Sequence, residues 1–215
     1  WDSTAQCPYL HSPTDKVWIG YDDAQSIKVK ANYAKTMGLK GALVWDVSSD
    51  DCQDTLAKAL KDKHPGVRRH ALRISENYLQ DSPPLQQGVL ALQEDADPQI
   101  QLQLAYTLGE WKAPEAGRAL GRLALAHAGD RYITAAVLSS AEKNLEELIA
   151  LVFAGVRGDA RQKKAARDLS TKLLPLAAAF RKPRALARVL EEITRRPSGA
   201  KTFEAWQFNA LAGLA

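Results

Sequence analysis

The sequence predicts a mixed fold, with a short α/β segment over residues 1–60 and a mostly helical solenoid over residues 61–215. Three observations predict it. Strand and helix signals alternate in the first 60 residues, and strand signals nearly vanish afterwards. The helical part repeats with a period of 33 residues. The charge vocabulary also changes at the junction. Residues 1–60 hold six Lys and eight Asp, a balance of −2, with no Arg before Arg68 and no Glu before Glu76. Residues 61–215 hold 23 basic against 17 acidic residues, a balance of +6.

Composition bounds the classes. The 215 residues are 46% hydrophobic and 25% charged, which excludes wholesale disorder. No window approaches 18 uninterrupted apolar residues, so no membrane span is expected. The chain begins at Trp1 with no basic-then-apolar leader, as expected of a mature form, an engineered piece or a fragment.

The elements follow in order. Ser12-Pro-Thr-Asp15 reads as a turn, and Lys16-Val-Trp-Ile-Gly-Tyr21 as a short aromatic and β-branched strand. Asp22-Asp23 supplies an N-cap for a helix over about 24–37, with Ile27, Ala31 and Ala34 on one apolar face. Gly38 suits the left-handed position that closes a helix. Gly41-Ala-Leu-Val-Trp45 is almost continuously apolar, the mark of a strand buried on both faces of a parallel sheet. A turn over Ser48–Asp51 and a helix from near Cys52 complete a strand–helix–strand–helix unit. Cys7 and Cys52 are the two cysteines. A disulfide between them and a pair of unbridged thiols are both open.

From residue 61 the pattern is helix, Pro- or Gly-marked turn, helix. His64-Pro-Gly-Val67-Arg-Arg-His-Ala71 lies over Asp97-Pro-Gln-Ile100-Gln-Leu-Gln-Leu104 with a shift of 33. The same shift reaches Asp130-Arg-Tyr-Ile133-Thr-Ala-Ala-Val137. Val67, Ile100 and Ile133 become equivalent, as do Ala71, Leu104 and Val137. Pro65 and Pro98 stand in the first turn of their helices. Each unit holds a helix pair that cannot bury its apolar face alone, so stacking is expected. Weaker helices are expected over 160–174, 183–195 and 203–213, punctuated by Pro175, Pro183 and Pro197.

Residues 1–56 resemble the C-terminal end of family 18 glycoside hydrolases, the chitinases and chitinase-like lectins. The resemblance rests on Trp1-Asp-x-x-Ala5-x-x-Pro8-Tyr9, on Trp18-Ile-Gly-Tyr21-Asp22-Asp23-x-x-Ser26-Ile27-x-x-Lys30, and on Lys35-x-Met37-Gly38-Leu39-x-Gly41-Ala-Leu-Val-Trp45 with Asp50-Asp51. It implies that the segment is the last strand–helix units of a TIM-type barrel. It also implies that Trp45 forms the floor of a sugar site, with Tyr21 and Trp18 as further contacts for chito-oligosaccharides; a plain core role for Trp45 stays open. The family's catalytic signature, Asp-x-x-Asp-x-Asp-x-Glu, does not occur in these 215 residues. Asp46, Asp50, Asp51 and Asp54 do not reproduce it. The expectation is therefore no catalytic residue and no hydrolysis by this segment alone.

Residues 64–215 resemble HEAT-repeat α-solenoids, through Asp97-Pro-x-Ile100-x-x-x-Leu104-Ala105-x-x-Leu108-Gly109 and its looser copies. The wording around His64–Leu72 and Leu102–Trp111 is also similar to the repeat region of large multidomain bacterial proteins with a c-type haem domain. The Cys-x-x-Cys-His attachment motif is absent, so no haem or other cofactor is implied. The resemblance implies a protein-interaction scaffold that meets a protein or peptide partner on the concave side, through the second helix of each pair. Both resemblances lean towards exported proteins.

The remaining constellations are weaker. His64 and His70 stand six apart, the wrong spacing for a metal pair on one helix face, and no metal site is expected. Trp111 has two open roles, packing between repeats or anchoring a partner peptide. Arg157, Arg161, Lys163, Lys164 and Arg167 form the nearest approach to a nucleic-acid surface. They read first as a solvated helix face and nucleic acid is not the expected partner, but a nucleic-acid-binding helical repeat, resting on the +6 of residues 61–215, stays open as a third reading.

Overall fold

The computed structural model describes residues 1–40, 55–196 and 202–212. The described residues are mostly helical, with one small two-stranded sheet among them. It divides into two compact units, Trp1–Ser49 and Asp50–Ala215.

In the first unit, β1 (Tyr9–Ser12) and β2 (Val17–Gly20) form an antiparallel hairpin. The register pairs Tyr9 with Gly20, Leu10 with Ile19, His11 with Trp18 and Ser12 with Val17. The turn is closed by its own side chains. The Ser12 hydroxyl donates to the Asp15 carboxylate at 2.6 Å and accepts from the Asp15 N–H at 3.2 Å. Helix α1 (Ala24–Thr36) starts at a reciprocal cap. The Ser26 N–H donates to Asp23 Oδ1, and the Asp23 N–H donates to Ser26 Oγ, both at 2.8 Å. Gly38 at φ +64° closes the helix, a backbone shape in which a Cβ would be strained.

The turn, β2, the cap and Gly38 stand where the sequence puts them; β1 was not foreseen. Tyr9-Leu10-His11 is too short to show alternation, and only pairing with β2 makes it a strand. The expected apolar face of α1 is not buried: Ile27 is 48% exposed and Ala34 half-buried. Among the described residues of this unit, only Pro8 and Ser26 are buried. The expected strand Gly41–Trp45, the turn after it and the helix start near Cys52 lie outside the described residues.

The second unit contains α2 (Thr55–Ala59), α3 (Pro65–Ser75), α4 (Pro83–Ala91), α5 (Pro98–Glu110), α6 (Pro114–Ala126), α7 (Arg131–Ser139), α8 (Leu145–Gly155), α9 (Ala160–Ala179), α10 (Pro183–Thr194) and α11 (Ala205–Ala212). The three starts 33 residues apart are all side-chain capped. The His64 ring accepts from the Gly66 N–H at 3.1 Å. Asp97 accepts from Gln99 and Ile100, and Asp130 from Tyr132 and Ile133. Side chains at the next equivalent positions reach back to the loop before their own helix. Arg68 donates to the Asp62 and Lys63 carbonyls, Gln101 to those of Leu92, Gln93 and Asp95, and Thr134 to that of His127. Each of these side chains ties the loop backbone to the first turn of the helix that follows it.

Packing follows the same order. Helix α5 packs against both α3 and α7, and α8 against α6, α9 and α10. Ala71, Leu104 and Val137 are fully buried at equivalent positions. At the other equivalent set, Ile100 and Ile133 are buried but Val67, in the first of the three units, is 40% exposed.

Pro175 does not punctuate the chain, contrary to the sequence expectation. It lies inside α9, which runs unbroken to Ala179. The ring removes one backbone donor, but Leu173, Leu174 and Ala177 on either side are buried, and that packing holds the helix together. Pro183 stands in the first turn of α10 as expected. Pro197 lies outside the described residues.

Candidate functional site

Two surfaces carry chemistry, one in each unit. In the hairpin, cross-strand pairing puts Tyr9, His11 and Trp18 on one face. The Tyr9 and Trp18 rings stack, with centroids 4.3 Å apart and planes 10° from parallel. His11 leans on Trp18 at 5.4 Å. Trp18 is 60% exposed and Tyr21 44%. Stacking on Tyr9 leaves one face of the indole open, and an open indole face suits the C–H face of a sugar ring. Trp45, the third residue of the expected sugar contact, lies outside the described residues. So does Cys52; Cys7 is half-buried.

In the second unit, two neighbouring clefts open between α3, α5 and α7. The first, of about 230 Å³, is lined by Arg69, His70 and Arg73 of α3 and by Gln99, Gln103 and Tyr106 of α5. The second, of about 310 Å³, is lined by Glu76, Tyr106 and Glu110, with Ser139, Glu142 and Lys143 from the end of α7 and the turn after it. Tyr106 borders both and is 46% exposed.

The charges are unevenly compensated. Arg69 donates to the Gln99 side chain, a neutral partner. Glu76 Oε1 accepts from Thr107 Oγ1 at 2.9 Å and Gln103 Nε2 at 3.1 Å. Burial pushes the Glu76 carboxyl above its usual range, and the nearby Glu110 adds to the rise; the Thr107 hydrogen bond works against it. Glu110 pairs with Lys143 at 2.7 Å.

The sequence reading puts partner contact on the second helix of each pair. These two clefts open on the first helices. Tyr106 was not singled out, because one exposed aromatic on an amphipathic helix has no sequence signature. The one available signal was the spacing of Arg69 and Arg73, one turn apart on a single face.

The other expected residues are placed as follows. Trp111 is 4% exposed, and its carbonyl accepts from Asn144 Nδ2 at 2.7 Å. Of its two open roles, packing is the one that fits this burial. Arg157 faces Glu192 at 3.5 Å and Arg167 pairs with Glu204, while Arg161, Lys163 and Lys164 are exposed. His64 caps α3 and His70 lines the first cleft. Among the described residues no group of His, Cys, Asp and Glu is placed to hold a metal ion. No helix among them is long and apolar enough to cross a membrane.

Comparison with known proteins bears on the hairpin unit. Residues 1–50 match the Glycosyl hydrolases family 18. Chitinase A1 of Niallia circulans is 44% identical over 61 residues, which is 28% of this chain and 9% of that protein. The endochitinase of Manduca sexta is 40% identical over 53 residues, 25% of this chain and 9% of that protein. The class V chitinase of Arabidopsis thaliana is 47% identical over 51 residues, 24% of this chain and 13% of that protein. The chain therefore spans about a tenth of the length of these curated relatives. No solved structure matches the chain. The family 18 segment thus contains the whole hairpin, its exposed aromatic face, α1 and Trp45.

Proposed function

We propose that the chain acts as a non-enzymatic protein-interaction scaffold, a HEAT-like stack of helix pairs joined to a truncated family 18 segment over residues 1–60. The observation that carries this reading is the pair of clefts running across three successive first helices with Tyr106 exposed between them. The equivalent caps at His64, Asp97 and Asp130, and the packing of α5 between α3 and α7, support the stacking. The test is limited proteolysis read by intact mass. A stable fragment from about residue 61 onward is expected. Early cuts inside residues 64–157 would remove the scaffold.

A second reading is favoured by the family 18 match and the open indole of Trp18. The first unit contacts chitin-type oligosaccharides through Trp18, Tyr21 and Trp45. The catalytic signature does not occur in the 215 residues, so this reading is one of binding rather than hydrolysis. Chito-oligosaccharides then shift tryptophan fluorescence, and Trp18→Ala or Trp45→Ala reduces the shift. Silence at millimolar sugar dismisses it.

A further inference from the structure

The two clefts flanking Tyr106 carry opposite charge. The first presents Arg69 and Arg73, with His70 as a third donor, and no carboxylate lines it. The second is lined by Glu76, Glu110 and Glu142; Lys143 pairs with Glu110 and Lys182 stands 3.8 Å from Glu142, which leaves three carboxylates facing two cations. A ligand that occupies both must bring an acidic group to one end and a basic group to the other. A nucleic-acid strand does not qualify, because its phosphates, welcome beside Arg69 and Arg73, would meet three carboxylates further along. A polypeptide of mixed charge does qualify.

We propose that this groove binds an extended, mixed-charge peptide segment of a partner protein. Its acidic side chain lies between Arg69 and Arg73, and its basic side chain beside Glu76 and Glu142. Its intervening residue packs on the Tyr106 ring. The inference rests on the scaffold reading and specifies the partner's chemistry. Side-by-side helices stand about 10 Å apart, and an extended chain rises about 3.3 Å per residue, so the two charges are two to four residues apart. Guanidinium pairs are suited to this role because their forked donors match a carboxylate. Tyr106 supplies a large contact area with few torsions to freeze.

The experiment uses the full 215-residue chain and fluorescein-labelled probes followed by anisotropy at low salt. The probes are a decapeptide with Asp-Glu three residues before Lys-Arg, an all-acidic peptide, an all-basic peptide and a single-stranded oligonucleotide. The mixed-charge peptide is expected to bind tightest and to weaken with added salt. Arg73→Glu is expected to weaken it at least about tenfold, the scale of one charge-assisted hydrogen bond. Tyr106→Ala, which tests the platform without touching a charge, weakens it too. Arg118→Glu, on exposed α6 surface, leaves it unchanged. Arg73 is itself exposed, so its replacement is compatible with folding, and circular dichroism of each variant checks this. Equal or tighter binding of the oligonucleotide overturns the proposal. So does all-acidic binding equal to mixed-charge binding, no peptide binding at all, or indifference to Arg73→Glu. The proteolysis result separates these outcomes from failure of the scaffold, since a stable helical fragment with no peptide affinity sinks only the groove.

Discussion

The Asn144 side chain closes a two-point clasp on Trp111, the residue 33 positions before it. Asn144 Nδ2 donates to the Trp111 carbonyl at 2.7 Å, and Oδ1 accepts from the Ala113 N–H at 3.2 Å. Both residues are buried, so the bond between them is shielded from water, while the Ala113 bond is half-buried. The clasp fixes the exit of α5 against the start of α8, and Lys143 repeats the spacing outside by pairing with Glu110.

Asn144→Ala therefore removes both bonds and leaves the Trp111 carbonyl and the Ala113 N–H with only the 3.1 Å bond that they make to each other. The expected loss is about 1–3 kcal/mol of unfolding free energy, measured by urea titration. Asn144→Asp keeps the acceptor for Ala113 but places a carboxylate against the Trp111 carbonyl, and should also be destabilising. A loss below half a kcal/mol for Asn144→Ala would mean the loop is held by other contacts.

Two glycines set how closely the helices approach. A Cβ at Gly109 would sit 2.5 Å from Ser140 Cβ and 2.8 Å from the Ser140 carbonyl oxygen. At Gly117 it would sit 2.5 Å from Glu147 Cβ and 3.0 Å from the Asn144 carbonyl oxygen. Backbone must move to accept either, and overpacking of this kind costs about 1–3 kcal/mol. Gly109→Ala and Gly117→Ala are expected to lower Tm, while Gly129→Ala, which meets nothing within 4 Å, leaves it level or slightly higher. Equal Tm values for the three variants would contradict the close approach.

Local signals were legible in the sequence, and long-range ones were not. Asp23 announced its helix because a cap is a contact between neighbours in the chain, and Pro65 and Pro98 announced theirs because proline suits a first helical turn. Gly38 was readable for the same reason. Strand β1 exists only through its partner and left no pattern of its own. The clefts at Tyr106 join residues 30 or more positions apart, such as Arg73 and Gln103, and depend on how helices stack. The aromatic face of the hairpin was half legible. Trp18 and Tyr21 were singled out, but the stacking partner Tyr9 emerged only with the register.

Pro175 offers a test of helix continuity. It lies within α9 and cannot donate to the carbonyl one turn earlier, that of Thr171. Pro175→Ala restores that bond without a cap or turn to lose. The expected gain is up to about 3 kcal/mol, less the packing of the half-buried ring. A fall in stability would show that the ring's contacts outweigh the missing bond.

Acid titration separates two carboxylates with opposite shifts. Burial alone would raise Asp95, but the Arg68 guanidinium, gripping it at 2.7 and 3.0 Å, and the Asp97 N–H bring it below the usual range. A group with a lowered native pKa stabilises the fold above its unfolded value, and that stability is lost as pH falls through the native one. Stability should therefore drop below pH ~4, and Asp95→Asn should remove part of that drop while lowering stability at neutral pH. Glu76 behaves in the opposite sense. Its raised native pKa favours the fold most when the carboxyl is protonated, and the advantage fades as pH rises through the native value. Glu76→Gln keeps an acceptor for Thr107 and Gln103 and removes the half-buried charge. It should match or exceed the parent at pH 7 and lose that margin below pH ~4. Urea midpoints across pH 3 to 8 measure both slopes. A Glu76→Gln variant that is weaker at pH 7 by a margin independent of pH would show that the carboxylate is favourably placed, contrary to its burial.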